Sequence, residues 1–133
     1  MYIGRGIPTG RVSAMRSATT TGTVWSDIVM DQDGTRALTM FFAPGSRTHW
    51  HSHPGGQLLY TLAGEGWIQE RDGQGAILRP GDVCWTQPGV EHWHGASEHS
   101  QLVQFVLHFG DVAWTGPVAD TEYVSPAEEV PGR

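Results

Sequence analysis

His51 and His53 stand two apart in His49-Trp50-His51-Ser52-His53-Pro54-Gly55-Gly56-Gln57, and His92 and His94 repeat that spacing in His92-Trp93-His94-Gly95-Ala96. Side chains alternate along a strand, so each i, i+2 pair shares a face. The Pro54-Gly55-Gly56 turn can fold Gln57 back beside the first pair. One such pair is often no more than a surface or hydrogen-bonded pair. Two pairs, each beside a Pro-Gly turn and with an amide at short reach, point to a metal site. Imidazole suits zinc, copper, iron, manganese or nickel, and an amide oxygen suits harder cations, so a mixed set fits Mn(II) or Fe(II). His49 has the parity of the pair but no assigned role.

A third polar group lies on Gln101 to Phe109, where Gln104 and His108 share a face. The opposite face, Val103, Phe105, Leu107 and Phe109, is wholly apolar and is expected to pack against structure. Met40 and Phe42, alternate positions of Arg36 to Phe42, are assigned with Gln104 to the wall of a substrate pocket. The remaining groups have plainer readings. His99 is solvated, Cys84 is a small core residue, Asp72 and Asp82 form turns, and Glu65 and Glu91 are surface charge. Trp50, Trp85 and Trp93 are read as core before pocket.

These residues must be held by short, turn-rich elements. The chain has 18 glycines and 8 prolines in 133 residues, and they cut it into strand-length segments. Strands are expected at 22–30, 36–42, 57–62, 67–70, 76–79, 83–86, 92–96 and 101–109, with 48–53 extended. Asp31 to Gly34 is expected to turn the chain, and Asp72-Gly73 supplies a hairpin turn. No stretch keeps a helical period, apart from a short turn over 126–130. About eight to ten strands predict an all-β sandwich or barrel around one small-molecule cavity. The expected organisation is an N-terminal arm over 1–21, a barrel over 22–109 and a tail over 110–133 packed on the outside.

The totals narrow the function. The length fits a single core. A net charge of −6 without a basic run disfavours nucleic acid and anionic membranes. One cysteine cannot form an intrachain disulfide, which fits a reducing cytoplasm. The N-terminus lacks an apolar leader, and no apolar run is long enough to cross a bilayer. Arg47 and Arg79 are the only basic residues near the histidine segments, so a carboxylate substrate draws little support.

Gly45, His51, His53, Gln57 and Gly64 resemble the first cupin motif in their spacing, and Gly81, Gln87, Pro88, Gly89 and His92 resemble the second. Gln57 stands where the motif usually has glutamate, and Gln87 where it usually has proline. The resemblance implies a single-domain cupin β-barrel, a jelly roll, with His51, His53, Gln57 and His92 on one divalent metal. Arg47 to Gln57, His92 to Ala96 and Asp111 to Trp114 look most like the bacterial cupin-type hydroxynitrile lyases. That likeness implies manganese, with iron, nickel or zinc as alternatives, and a homodimer or homotetramer.

Three imidazoles and an amide leave the full charge on a divalent ion, which favours polarising a bound oxygen. The expected function is therefore metal-dependent cleavage or formation of a cyanohydrin, with His94 or His108 as base. A cupin dioxygenase using iron, nickel or manganese is the second reading. A non-catalytic or isomerase cupin that binds a small molecule is the third.

Overall fold

The computed structural model describes residues 1–6 and 13–127. Among these it has thirteen strands and no helix. In chain order they are β1 (Ala14–Arg16), β2 (Thr20–Thr21), β3 (Val24–Gln32), β4 (Thr35–Phe42), β5 (Arg47–Thr48), β6 (Trp50–Ser52), β7 (Gln57–Gly64), β8 (Gly66–Glu70), β9 (Gly75–Leu78), β10 (Val83–Thr86), β11 (His92–Ala96), β12 (Leu102–Phe109) and β13 (Ala113–Gly116). The strands expected from the sequence are all present, with small shifts at their ends. Three more appear. β1 and β2 lie in the segment expected as an arm, and β13 lies in the expected tail. They are short and lack alternation, and pairing with β3, β5 and β6 defines them. The run 48–53 divides at His49 into β5 and β6. The turn expected over 126–130 lies mostly outside the described residues.

All pairings are antiparallel. One sheet has the order β1-β3-β4-β12-β7-β10, and the other runs β13-β6-β11-β5-β2, with β8 on β11 and β9 on β8. Asp33 and Gly34 both have positive φ (51° and 76°) at the β3–β4 turn, as the tight hairpin connection demands.

Register places the site. Residues opposite one another on neighbouring strands share a face. One inward row of the first sheet runs Asp31, Arg36, His108, Gln57, Thr86. The next runs Leu38, Val106, Leu59, Cys84, and a third runs Ser26, Met40, Gln104, Thr61. Below these, Val24, Phe42 and Leu102 close the apolar core. The inner face is thus polar at one end and apolar at the other.

The expectation that Val103, Phe105, Leu107 and Phe109 form the packed face of β12 is overturned. They are half-buried or exposed, while Leu102, Gln104, Val106 and His108 are buried. A cavity on the inner side gives polar residues a reason to face inward, which reverses the usual rule for a strand.

A second cluster, Trp50, Trp67, Trp93 and Val118, lies on the other face of the second sheet, with Tyr123 against it. Trp93 is fully buried between the inward His92 and His94. Arg47 pins the covering segment. Its Nη2 donates to the Val118 carbonyl and to Asp120 Oδ1, both at 2.9 Å, and its guanidinium lies 4.4 Å from the Tyr123 ring centre. Tyr123 donates its hydroxyl to the Ala96 carbonyl at 2.6 Å. Arg47 is therefore an internal strut held through its Nη nitrogens, while its buried Nε has no partner among the described residues.

Candidate metal centre and cavity

His51 sits on β6, His53 just after it, Gln57 at the start of β7 and His92 at the start of β11. The turn between His53 and Gln57 depends on glycine. A Cβ on Gly55 would come within 2.5 Å of Phe109 Cβ, and one on Gly56, at φ 86°, within 2.5 Å of the Trp85 ring. The His53 carbonyl accepts the amides of Gly56 (3.1 Å) and Gly89 (2.9 Å), tying the two Pro-Gly turns together.

His51, His53 and His92 are buried, and their ligating atoms lie within 4.8 Å of one another, so they could hold a metal ion. Backbone contacts fix two tautomers. His51 Nδ1 donates to the His49 carbonyl at 2.8 Å and His92 Nδ1 to the Val90 carbonyl at 3.0 Å. Each then presents an unprotonated Nε2. This gives His49 a role through its backbone.

Two features fit a cation. Both ring nitrogens of His53 are buried without a hydrogen-bond partner, and such orphans are rare. His92 Nε2 also faces Gln57 Oε1 at 2.8 Å. With Nδ1 protonated these are two acceptors at contact distance, an arrangement that a shared positive centre satisfies.

Burial disfavours the charged form of every imidazole here. His53 is pushed down to about 3 by burial, then by His108 and His92. His94 is pushed to about 3 by burial, then by His92. His51 lies well below the usual range through burial, His92 and His94. Burial lowers His92, and burial followed by the Arg36 charge lowers His108. The cluster is neutral near pH 7, as metal ligation requires.

A cavity of about 360 Å³ opens beside these histidines, and Met40, Thr48, His94, Val106, His108 and Trp114 are on its wall. His94 Nδ1 donates to Gln104 Oε1 at 2.9 Å, leaving Nε2 unprotonated. His108 stacks against His53 with ring centres 4.4 Å apart. The Trp114 ring centre lies 4.8 Å from that of His51.

The expectation that Phe42 and Gln104 line the pocket is not met, although Met40 does. Phe42 belongs to the apolar core and meets His94 edge-on at 5.7 Å. Gln104 is fully buried and holds His94. Phe42 sits one row deeper than Met40, and Gln104, level with Met40, is turned to His94 rather than to the cavity. Trp50 and Trp93 are core, and Trp85 is exposed on the outer face. Cys84 packs beside the core, and burial raises its thiol to about 11.

Sequence reasoning missed Arg16, Arg36 and Trp114, which all line the cavity. The inference that carboxylates lack a basic partner is corrected accordingly. Arg36 had a legible signal, since its parity on β4 matches the inward set. Arg16 and Trp114 had none, because long-range pairing alone brings them in.

The structure is thus an antiparallel β-barrel with a buried three-histidine cluster at its cavity that could hold a metal ion. The cupin domain model matches residues 38–109, and the chain belongs to the cupin family. It is 43% identical over 86 residues to an (R)-mandelonitrile lyase of Granulicella tundricola. That match covers 62% of this chain and 66% of the relative, just under two thirds of its length. A cupin-like protein of Thermotoga maritima superposes with a TM-score of 0.81 at 36% identity, over 88% of this chain and 95% of that one. The DMSP lyase DddQ of Ruegeria pomeroyi superposes with a TM-score of 0.66 at 19% identity, over 81% of this chain and 64% of that one, and shares the fold.

Proposed function

We propose that this protein is a metal-dependent lyase that cleaves or forms cyanohydrins. The observation that carries the reading is the wholly neutral cluster, His51, His53, His92 and Gln57, beside a cavity whose wall holds the oriented base His94. The likeness to a mandelonitrile lyase supports it. The donor set suits a divalent ion, with manganese first and iron, nickel or zinc as alternatives. When bound, such an ion supplies Lewis acidity toward the substrate hydroxyl.

The chain's own residues do the rest. Gln104 fixes the His94 tautomer, so Nε2 accepts the hydroxyl proton. Burial makes His94 a weak base, and transfer therefore depends on a hydroxyl already made acidic. As the oxygen's electron pair forms the carbonyl, the C–C bond breaks and its pair leaves on cyanide. The His94 imidazolium returns its proton to cyanide, giving hydrogen cyanide and an aldehyde. His108 and Met40 bound the space for the departing group and the substituent.

Benzaldehyde release from mandelonitrile by manganese-loaded protein tests this reading. It predicts release above the buffer rate and at least about a hundredfold loss in His94→Ala. A wild-type rate equal to buffer overturns it. Oxygen uptake with a diketone or flavonol in place of that release would favour the oxygenase reading.

We also propose a homo-oligomer in a cytoplasmic setting. The outer face of the first sheet exposes Trp25, Tyr60, Leu62, Val83, Trp85 and Phe109. Cross-strand pairs such as Val83 with Tyr60 and Tyr60 with Phe105 join this surface. With Met15 it offers several hundred Å² of apolar surface, on the order of the ~800 Å² each partner of a stable dimer buries. A second copy of the chain is the occupant that this area fits. Among the described residues no helix is long and apolar enough to cross a membrane.

A further inference from the structure

We propose that Arg16, with Arg36 beside it, forms an anion subsite that selects substrates carrying a carboxylate at the end remote from the reacting carbon. The inference rests on the cyanohydrin reading of the same cavity and names its substrate class: cyanohydrins of carboxylated aldehydes or ketones.

Both guanidiniums line the cavity that also touches His51, His53, His94 and His108. Arg16 ends β1, opposite the fully buried Val24, so it faces inward. Its Nε donates to the buried Ser26 Oγ at 2.8 Å, which fixes the plane of the group. The two Nη nitrogens are left as the outward fork, the edge that recognises carboxylates.

Among the described residues no carboxylate pairs with Arg16. Arg36 has one, Asp31 at 3.0 Å, in a largely solvated pair. Asp31 and the exposed Asp111 are the acidic groups on the cavity wall. Arg16 is half-buried, and burial and the neighbouring Arg36 both disfavour its charge. Holding a partly desolvated cation next to a like charge, without a structural counter-ion, is unfavourable. A bound carboxylate offsets that cost.

Linking β1 to β3 needs only the Nε contact. Arg36 stands opposite His108, which is opposite Gln57, and Arg16 feels the Arg36 charge. The arginines therefore adjoin the histidines on one wall, and a single small molecule can put its hydroxyl at His51, His53 and His94 and its carboxylate at the arginines.

The test is calorimetric titration of manganese-loaded protein with two unreactive probes, benzyl alcohol and 4-(hydroxymethyl)benzoate. The expected result is binding of the carboxylated probe about tenfold or more tighter than the neutral one. That advantage should fall at least about fivefold in Arg16→Gln, recover partly in Arg16→Lys, and weaken with added salt. Arg36→Gln, at the solvated rim, should give a smaller loss and serves if Arg16→Gln does not fold. Equal binding of the two probes, or an advantage that survives both the Arg16 and the Arg36 substitution, overturns the proposal. Probe binding is independent of turnover. Carboxylate preference without mandelonitrile cleavage would sink the lyase reading and with it the cyanohydrin substrate class, leaving the anion subsite, and cleavage without preference would sink the subsite alone.

Discussion

Acidifying the metal-free protein should unfold it well above the pH at which its carboxylates titrate. The folded state holds His53 and His94 neutral, with pKa values pushed down to about 3. In the unfolded chain each returns to about 6.5. The folded state therefore binds fewer protons than the unfolded state between those values, and stability falls as pH falls. The contribution is intact above about pH 6.5, is lost progressively below it, and levels off near pH 3. At pH 5 each histidine sits about 1.5 pH units below its unfolded pKa, which costs up to about 2 kcal/mol. The pair costs up to about 4 kcal/mol, and His51, His92 and His108 act in the same direction. A domain of this size has about 5–15 kcal/mol in total. Urea denaturation of EDTA-treated protein at pH 7.5, 6.5, 5.5 and 5.0 measures this. The midpoint should drop steadily across the series with the m-value unchanged. Manganese should raise the midpoint at pH 7.5 and lose that effect at pH 5, because protons compete for the same nitrogens. A midpoint indifferent to pH between 7.5 and 5 would refute the claim that these imidazoles are buried and neutral.

Other substitutions separate the parts of the account. Gln57→Glu cancels one unit of charge at the centre; the variant should hold metal longer against EDTA while mandelonitrile cleavage falls about tenfold or more. Arg47→Met removes the contacts to Val118, Asp120 and Tyr123. It should cost about 2 kcal/mol by chemical denaturation and speed proteolysis after Val118. Tyr60→Ser combined with Trp85→Ser should shift the protein toward monomer in analytical ultracentrifugation, with its melting temperature changing only by the loss of association.

The spacing of the candidate ligands was legible in the sequence because it is local. Two residues along a strand return to the same face, and a short Pro-Gly turn returns the chain, so His51, His53 and Gln57 need no distant information. His92 follows from repetition of the pattern, and the alternating segments located the strands of the barrel. Depth was not legible. Phe42 has the parity of a cavity residue but lies one row deeper, in the core, and Gln104, level with Met40, is taken up by His94. Nor could parity distinguish the inside of β12 from the outside, since an aromatic row on one face and Gln104 with His108 on the other invite the opposite assignment. Arg16, Trp114 and the strut made by Arg47 depend on pairings between distant segments, and such pairings leave no mark on the local pattern.

The most direct measurement of the central claim is a metal titration of EDTA-treated protein in which bound manganese and mandelonitrile cleavage are followed together. The account predicts saturation at about one ion per chain, cleavage that rises in proportion to occupancy, and loss of both in His51→Ala and His92→Ala. Cleavage that stays at the buffer rate at full occupancy, or that persists unchanged with no metal bound, would contradict it.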